Sequence, residues 1–237
     1  MKERGMKLKF AAVLVALAFF AATPVWAGTV TFDFTNCSQI SSPTGFGGTA
    51  CHNTSLGQNT ATYTSGGLTL TASGFSSTGP ADIYVKFFSA TDERGLGLVT
   101  GASDHEIHPG DSLYLDLSDL ASKGITSGTL WLGSLSTESG ATEVGNVCAT
   151  DAVGTPGSSM CVAYNGVSSG SLSNTVSWSS SDPILSIQST SGGFLVGETL
   201  TVTQSTVPEP GTLVLFGTAL LAGAFLFRRR LSSEGSC

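Results

Sequence analysis

Positive charge is what this chain has least of where it would matter. Of its 10 lysines and arginines, Lys2, Arg4, Lys7, Lys9 and Arg228, Arg229, Arg230 sit at the two ends. Between residues 28 and 204 only Lys86, Arg94 and Lys123 remain, against fourteen acids, so that segment carries −11 although the whole chain carries −7. A field of that sign disfavours nucleic acid and anionic polysaccharide, both of which need clustered cations. Neutral glycans, divalent cations and other proteins remain open as partners.

Helical periodicity is also missing. Outside two apolar runs near the ends, no window longer than about ten residues repeats at 3.6, which excludes a helical bundle. Several catalytic and metal signatures are absent as well. There is no Gly-x-Ser-x-Gly elbow, no Asp-x-Asp-x-Asp-Gly calcium loop, no His-Glu-x-x-His helix and no Cys-x-x-Cys knuckle. Histidine occurs only at positions 52, 105 and 108. His52, beside Cys51, is expected to be a loop residue rather than a general base. The carboxylate pairs Asp92-Glu93, Asp104/Glu106 and Asp116/Asp119 have no separation fixed by sequence, and glycoside hydrolysis demands one. The chain is expected not to be an enzyme.

What is present is alternation. Val30-Phe32-Phe34, Leu68-Leu70-Ala72, Ile83-Val85-Phe87, Leu113-Leu115-Leu117, Leu130-Leu132, Val176-Trp178, Leu185-Ile187 and Leu200-Val202 all repeat at period two. Each is bounded by Gly, Ser, Asn, Asp or Pro, as antiparallel strands and their turns require. Ser65-Gly66-Gly67 is expected to turn a hairpin. With 30 glycines and abundant Ser and Thr, the expected fold is all-β: a two-sheet antiparallel β-sandwich, jelly-roll-like, spanning 28–204.

The ends carry addresses. Four basic residues precede the apolar run Phe10–Ala22, and Val25-Trp26-Ala27 offers a small residue at a cleavage edge. Residues 1–27 are therefore expected to be a signal peptide, exported by the secretion machinery. At the other end come Val207-Pro208-Glu209-Pro210, an uncharged run over 211–227, and Arg228-Arg229-Arg230. Pro208 and Pro210 lack amide donors and push their predecessors out of helix, leaving Glu209 in an extended linker, 205–210. Seventeen residues at about 1.5 Å each span roughly 25 Å, at the short end for a transmembrane helix. The arginines of the tail, 228–237, would remain cytoplasmic.

That order of proline-glutamate-proline, apolar span and arginine cluster resembles the PEP-CTERM sorting signal. The resemblance covers the final tenth of the chain. It implies a protein of an exopolysaccharide-producing Gram-negative bacterium, held transiently in the inner membrane and then processed by exosortase. Release to the cell surface or to the exopolysaccharide or biofilm matrix would follow. Val207, Pro208, Glu209, Pro210 and the three arginines would be substrate residues, and Cys237 would leave with the tail. A second stretch looks like a pattern in PEP-CTERM ectodomains: Gly95-Leu96-Gly97-Leu98-Val99, Ser103-Asp104-His105-Glu106-Ile107 and Asp111–Leu117. His105 interrupts its Asp-Glu pair, His108 stands for a second Asp, and Asp111 replaces a Glu. It implies a shared sandwich module.

Three further expectations concern chemistry. Cys37, Cys51, Cys148 and Cys161 permit three pairings in an oxidising compartment, and the local one, 37–51 with 148–161, is expected because each loop is short and rich in turn residues. Asp104, His105, Glu106, His108 and Asp111 crowd five donors into eight residues. In an extended conformation Asp104, Glu106 and His108 would share one face, with His105 and Ile107 on the other. The expectation is a solvated loop without a cofactor; the rival is Ca²⁺ on Asp104, Glu106 and Asp111. Finally, Tyr63, Tyr84, Tyr114, Trp131, Tyr164 and Trp178 would stack on sugars only if exposed, which makes a carbohydrate-binding module the alternative to a structural role. A secreted hydrolase and an ice-binding protein, the latter from Thr29/Thr31, Thr69/Thr71 and Thr199/Thr201/Thr203, are the remaining alternatives.

Overall fold

Alternating apolar side chains need two surfaces, one dry and one wet, and the chain provides them by stacking sheets. The computed structural model describes residues 28–46, 50–88, 94–101, 103–135, 142–166, 170–193, 197, 199–204, 217–220 and 222–223. Gly28–Gln204 forms one compact unit. Its strands are β1 (Gly28–Asp33), β2 (Ile40–Ser42), β3 (Thr54–Ser55), β4 (Thr60–Ser65), β5 (Leu68–Ser76), β6 (Gly79–Pro80), β7 (Ile83–Phe87) and β8 (Arg94–Leu98). They continue as β9 (Ser112–Asp116), β10 (Ser127–Leu135), β11 (Val144–Thr150), β12 (Ser159–Asn165), β13 (Gly170–Ser177), β14 (Ile184–Ser191) and β15 (Thr199–Gln204).

The strands build three sheets, and every pairing between named strands is antiparallel. A four-stranded sheet runs β1-β15-β10-β13. An eight-stranded sheet runs β12-β11-β14-β9-β5-β4-β2, with β6 added beside β5. A small sheet runs β3-β7-β8. The first and last strands of the unit pair from Gly28↔Gln204 to Asp33↔Thr199, closing the chain on itself.

Inward residues of all three sheets join one core, including Phe32, Leu130 and Val202 from the first, Leu70, Leu115 and Ile187 from the second, and Ile83 and Leu96 from the third. The period-two residues named above are buried, except that Phe87 is only half covered. Truncating one such leucine to alanine typically costs about 2–5 kcal/mol. Two tyrosines cross the core. Tyr164 on β12 donates its hydroxyl to the Leu130 carbonyl on β10 at 3.1 Å, and Tyr63 on β4 donates to the Phe34 carbonyl at 3.4 Å. Their burial removes water as a partner, so the opposite backbone must accept. The result is β-sandwich-like.

Local expectations are met where turn chemistry is strict. Gly66 and Gly67 both take positive φ (56° and 75°) between Ser65 and its partner Leu68, as a two-residue hairpin with matching twist requires. Both local disulfides, Cys37–Cys51 and Cys148–Cys161, are formed. The alternating stretches do not mark β2, β3, β6, β8, β11 or β12, nor helix α1 (Ser118–Ser122). Five residues are too few to display a 3.6 repeat. Its end is set instead by Gly124 at φ 77°. The Gly124 amide donates to Ala121 and the Ile125 amide to Leu120, a Schellman ending with buried Ile125 against buried Leu120.

The expected signal peptide (1–27), linker (205–210) and basic tail (228–237) lie outside the described residues, as does most of 211–227. Within that run, 217–220 and 222–223 are helical. Among the described residues no helix is long and apolar enough to cross a membrane.

Candidate functional site

β7 alternates strictly: Ile83 and Val85 enter the core, leaving Tyr84 and Lys86 to face away from it. The segment 103–111 makes contact with this outward row. The amide of Leu98, at the end of β8, donates to the His105 carbonyl, 3.0 Å away. His105 itself adopts left-handed φ (59°) and lays its ring on Tyr84, centroids 4.1 Å apart and 27° from parallel. A positive φ is uncommon for a residue with a side chain, though histidine tolerates it better than most.

After that reversal the next residues alternate as an extended chain would. Ile107 enters the core, and Asp104, Glu106 and His108 bring one ligand atom each within 4.8 Å of one another. The Glu106 Oε1 atom accepts from Lys86 Nζ at 3.4 Å and from the Ser134 hydroxyl at 3.0 Å. Lys86 is only 8% exposed, so a carboxylate partner is what makes its charge tolerable there. Asp104 Oδ1 lies 2.9 Å from His108 Nε2 and also accepts the Glu106 amide at 3.3 Å. Burial pulls the Asp104 carboxyl upward. The His108 hydrogen bond, the Glu106 amide and the charges of His108 and Lys86 outweigh it, and hold the carboxyl below its ordinary value.

Asp111 does not belong to that trio. Its carboxylate accepts the His108 amide at 3.3 Å while its own amide donates to the His108 carbonyl at 2.9 Å, a reciprocal turn lock. The oxygen set proposed from sequence, Asp104, Glu106 and Asp111, is therefore replaced in space by Asp104, Glu106 and His108. The reason is the tight turn at Pro109-Gly110, which spends Asp111 on the local backbone. His108 and Asp111 instead border a shallow groove with Ser76, Ser77, Thr78, Thr100 and Pro109. Sequence reasoning did not place Lys86 or Ser134 at this loop, and named Tyr84 only as a candidate for stacking on sugars. Lys86 had a readable signal, being one of three cations in a −11 segment.

Other candidates resolve individually. His52 Nε2 sits 2.9 Å from the Thr35 carbonyl, which can only accept, so Nε2 carries the proton; the ring stacks on Phe87 at 4.1 Å. The adjacent sulfurs of Cys37 and Cys51 are consumed by their disulfide. Asp116 accepts from the Ser118 amide and hydroxyl, and Asp119 from the Thr69 amide and Lys123. Asp92-Glu93 lies outside the described residues. Of the six aromatics, Tyr63, Tyr114, Tyr164 and Trp178 are buried and Tyr84 lies half-buried against His105. Trp131 is exposed.

The family model of the PEP-CTERM protein-sorting motif matches residues 206–230. It begins two residues after the last strand ends at Gln204. No curated protein and no solved structure matches the chain. The chain thus carries a PEP-CTERM sorting motif, the mark of an exported protein sorted through a C-terminal membrane-anchoring signal and recognised by exosortase.

Proposed function

We propose that this is a non-catalytic protein of the cell surface or of the exopolysaccharide or biofilm matrix, cut by exosortase near Pro208–Pro210 after export. The observation that carries the reading is the sorting motif at 206–230, placed directly behind a compact β unit that ends at Gln204. In this reading the inner membrane holds the chain only until processing, and the unit from Gly28 onward is what the cell keeps outside.

Strand order supports a jelly roll as the finer description. β11 pairs β12 in the eight-stranded sheet, β10 pairs β13 in the four-stranded one, β9 pairs β14 in the former, and β1 pairs β15 in the latter. Nested pairs that alternate between two sheets are how a double-sheet jelly roll is wound. The strands β2 to β8 are then an insertion between its first and second strands.

A structural role is favoured over catalysis by the fate of the carboxylates. Glu106 is held by Lys86 and Ser134, Asp104 by His108, and Asp119 by the Thr69 amide and Lys123, while Asp116 caps a local turn. In the same reading the Asp104–Glu106–His108 group clasps its loop to β7 and needs no Ca²⁺. Intact mass of the protein from cells with and without exosortase tests the processing step. A surface form that still contains Phe227 and the arginine cluster sinks it.

A further inference from the structure

Sequence spacing alone could not say which threonines meet. Pairing decides it: Thr31↔Thr201, Thr201↔Thr129 and Thr129↔Thr175 place one threonine from each strand of the four-stranded sheet in a single row. Thr31 and Thr201 are close enough for their hydroxyls to bond, at 3.3 Å. Because Phe32, Leu130, Val176 and Leu200 point into the core, this row lies on the sheet's outer face. Trp131 stands on that face, directly across from Ser173 and beside the Leu130↔Leu200 pair that leads to Thr199. Apart from Gly133 at the β10 bulge and Asp33 on the edge strand β1, the other outward positions of the four strands are threonine or serine.

We propose that this face binds a neutral polysaccharide, with Trp131 as the stacking platform and the flanking hydroxyls of Ser173, Thr129 and Thr199 as hydrogen-bonding partners. Trp131 is 43% exposed, whereas the other tryptophan and three of the tyrosines of the unit are buried. An isolated exposed apolar side chain is ordinary. A flat indole flanked by hydroxyls, on a sheet face whose one acid is Asp33 on the edge strand, is a different surface. The ring offers the apolar face of a sugar a partner, and the hydroxyls sit at strand spacing, about 4.8 Å apart, and roughly 6.8 Å along each strand.

Charge selects the class of polymer. None of the three cations of the unit lies on these strands, so an anionic polysaccharide would meet no counter-charge while facing a −11 unit. A projecting indole also breaks the plane that a lattice of threonines would need to meet ice. The platform is rigid: Leu130 and Leu132, on either side of Trp131, are fully buried, and Tyr164 bonds the Leu130 carbonyl. The proposal does not rest on tail processing, and the two can fail separately.

Affinity electrophoresis of the full chain in mild non-ionic detergent tests it, with hydroxyethylcellulose, dextran, galactomannan or alginate cast in the gel. Retardation is expected in at least one neutral gel and not in alginate, falling at least tenfold in Trp131→Ala, largely kept in Trp131→Phe, and unchanged in Met160→Ala, an exposed side chain on β12. Independently of any variant, the retarding polymer should quench or blue-shift the exposed indole emission of the unaltered protein. No retardation in any neutral gel overturns the proposal. So does equal retardation of Trp131→Ala, a preference for alginate, or inhibition of ice recrystallisation without glycan retention.

Discussion

Lys86 and Glu106 lie 3.4 Å apart with little of either side chain open to water. One is on β7 and the other on the loop that crosses it, so the pair ties a non-local loop to the sheet. Removing one partner leaves the other charge buried and uncompensated, which is costlier than removing both. Lys86→Met should destabilise by about 3 kcal/mol, and Lys86→Met with Glu106→Gln should recover much of that loss. Urea denaturation of both variants checks it. Equal loss in the single and double variants would count against the clasp.

The same clasp bears on metal. With Glu106 Oε1 engaged by Lys86 and Ser134, and Asp104 by His108, Ca²⁺ or Zn²⁺ must displace bonds already made. The thermal midpoint should stay within error on adding either ion or a chelator. A saturable rise of several degrees that disappears in Asp104→Asn would instead establish a site.

Stability against pH has a separate cause at each extreme. The Asp104 and Asp119 carboxyls are held below their ordinary values: burial opposes this, but hydrogen bonds and neighbouring cations prevail. A depressed folded value means stability that is full above about pH 4 and is lost as pH falls through the folded values. Asp104→Asn and Asp119→Asn should each flatten the acid limb of a stability–pH curve. Tyr63 and Tyr164 are raised, chiefly by burial. Their contribution is full below about pH 10 and is lost as pH climbs toward the folded values. Absorbance at alkaline pH should therefore show these two phenolates only when the fold opens. Reversible ionisation of all four tyrosines without unfolding would contradict that.

Each disulfide closes a loop of similar size, with separations of 14 and 13 residues. Chain entropy assigns each about 3 kcal/mol. Replacing Cys37 and Cys51 together by alanine should cost more than the corresponding change at Cys148 and Cys161. The first pair is buried among core residues, whereas Cys161 is exposed. Denaturation of the two double variants decides the order.

Much of this architecture is readable along the chain because strands and turns are governed by near neighbours. Leu113-Leu115-Leu117 enters the core as its period demands, and Gly66-Gly67 turns where two positive φ angles are needed. The convergence of Asp104, Glu106 and His108 matches the face that alternation assigns them, but Asp104 reaches it across the left-handed turn at His105. The exchange of Asp111 for His108 in that group does not. It depends on where Pro109-Gly110 reverses the chain and turns Asp111 onto the His108 backbone.

By itself, the sequence determined the all-β class, the acidic balance and the sorting motif, all set by composition or contiguous residues; it left three disulfide pairings open, and the fold formed the local one. Only the tertiary structure decided which surfaces face water. Period two assigns Trp131 and Trp178 to faces but cannot say which face another sheet will cover, and the outcome was opposite for the two. Nor can it bring Thr31 beside Thr201, 170 positions away. That meeting requires β1 and β15 to pair, and their pairing is driven by burying Phe32 and Leu200 in a core built from the whole unit.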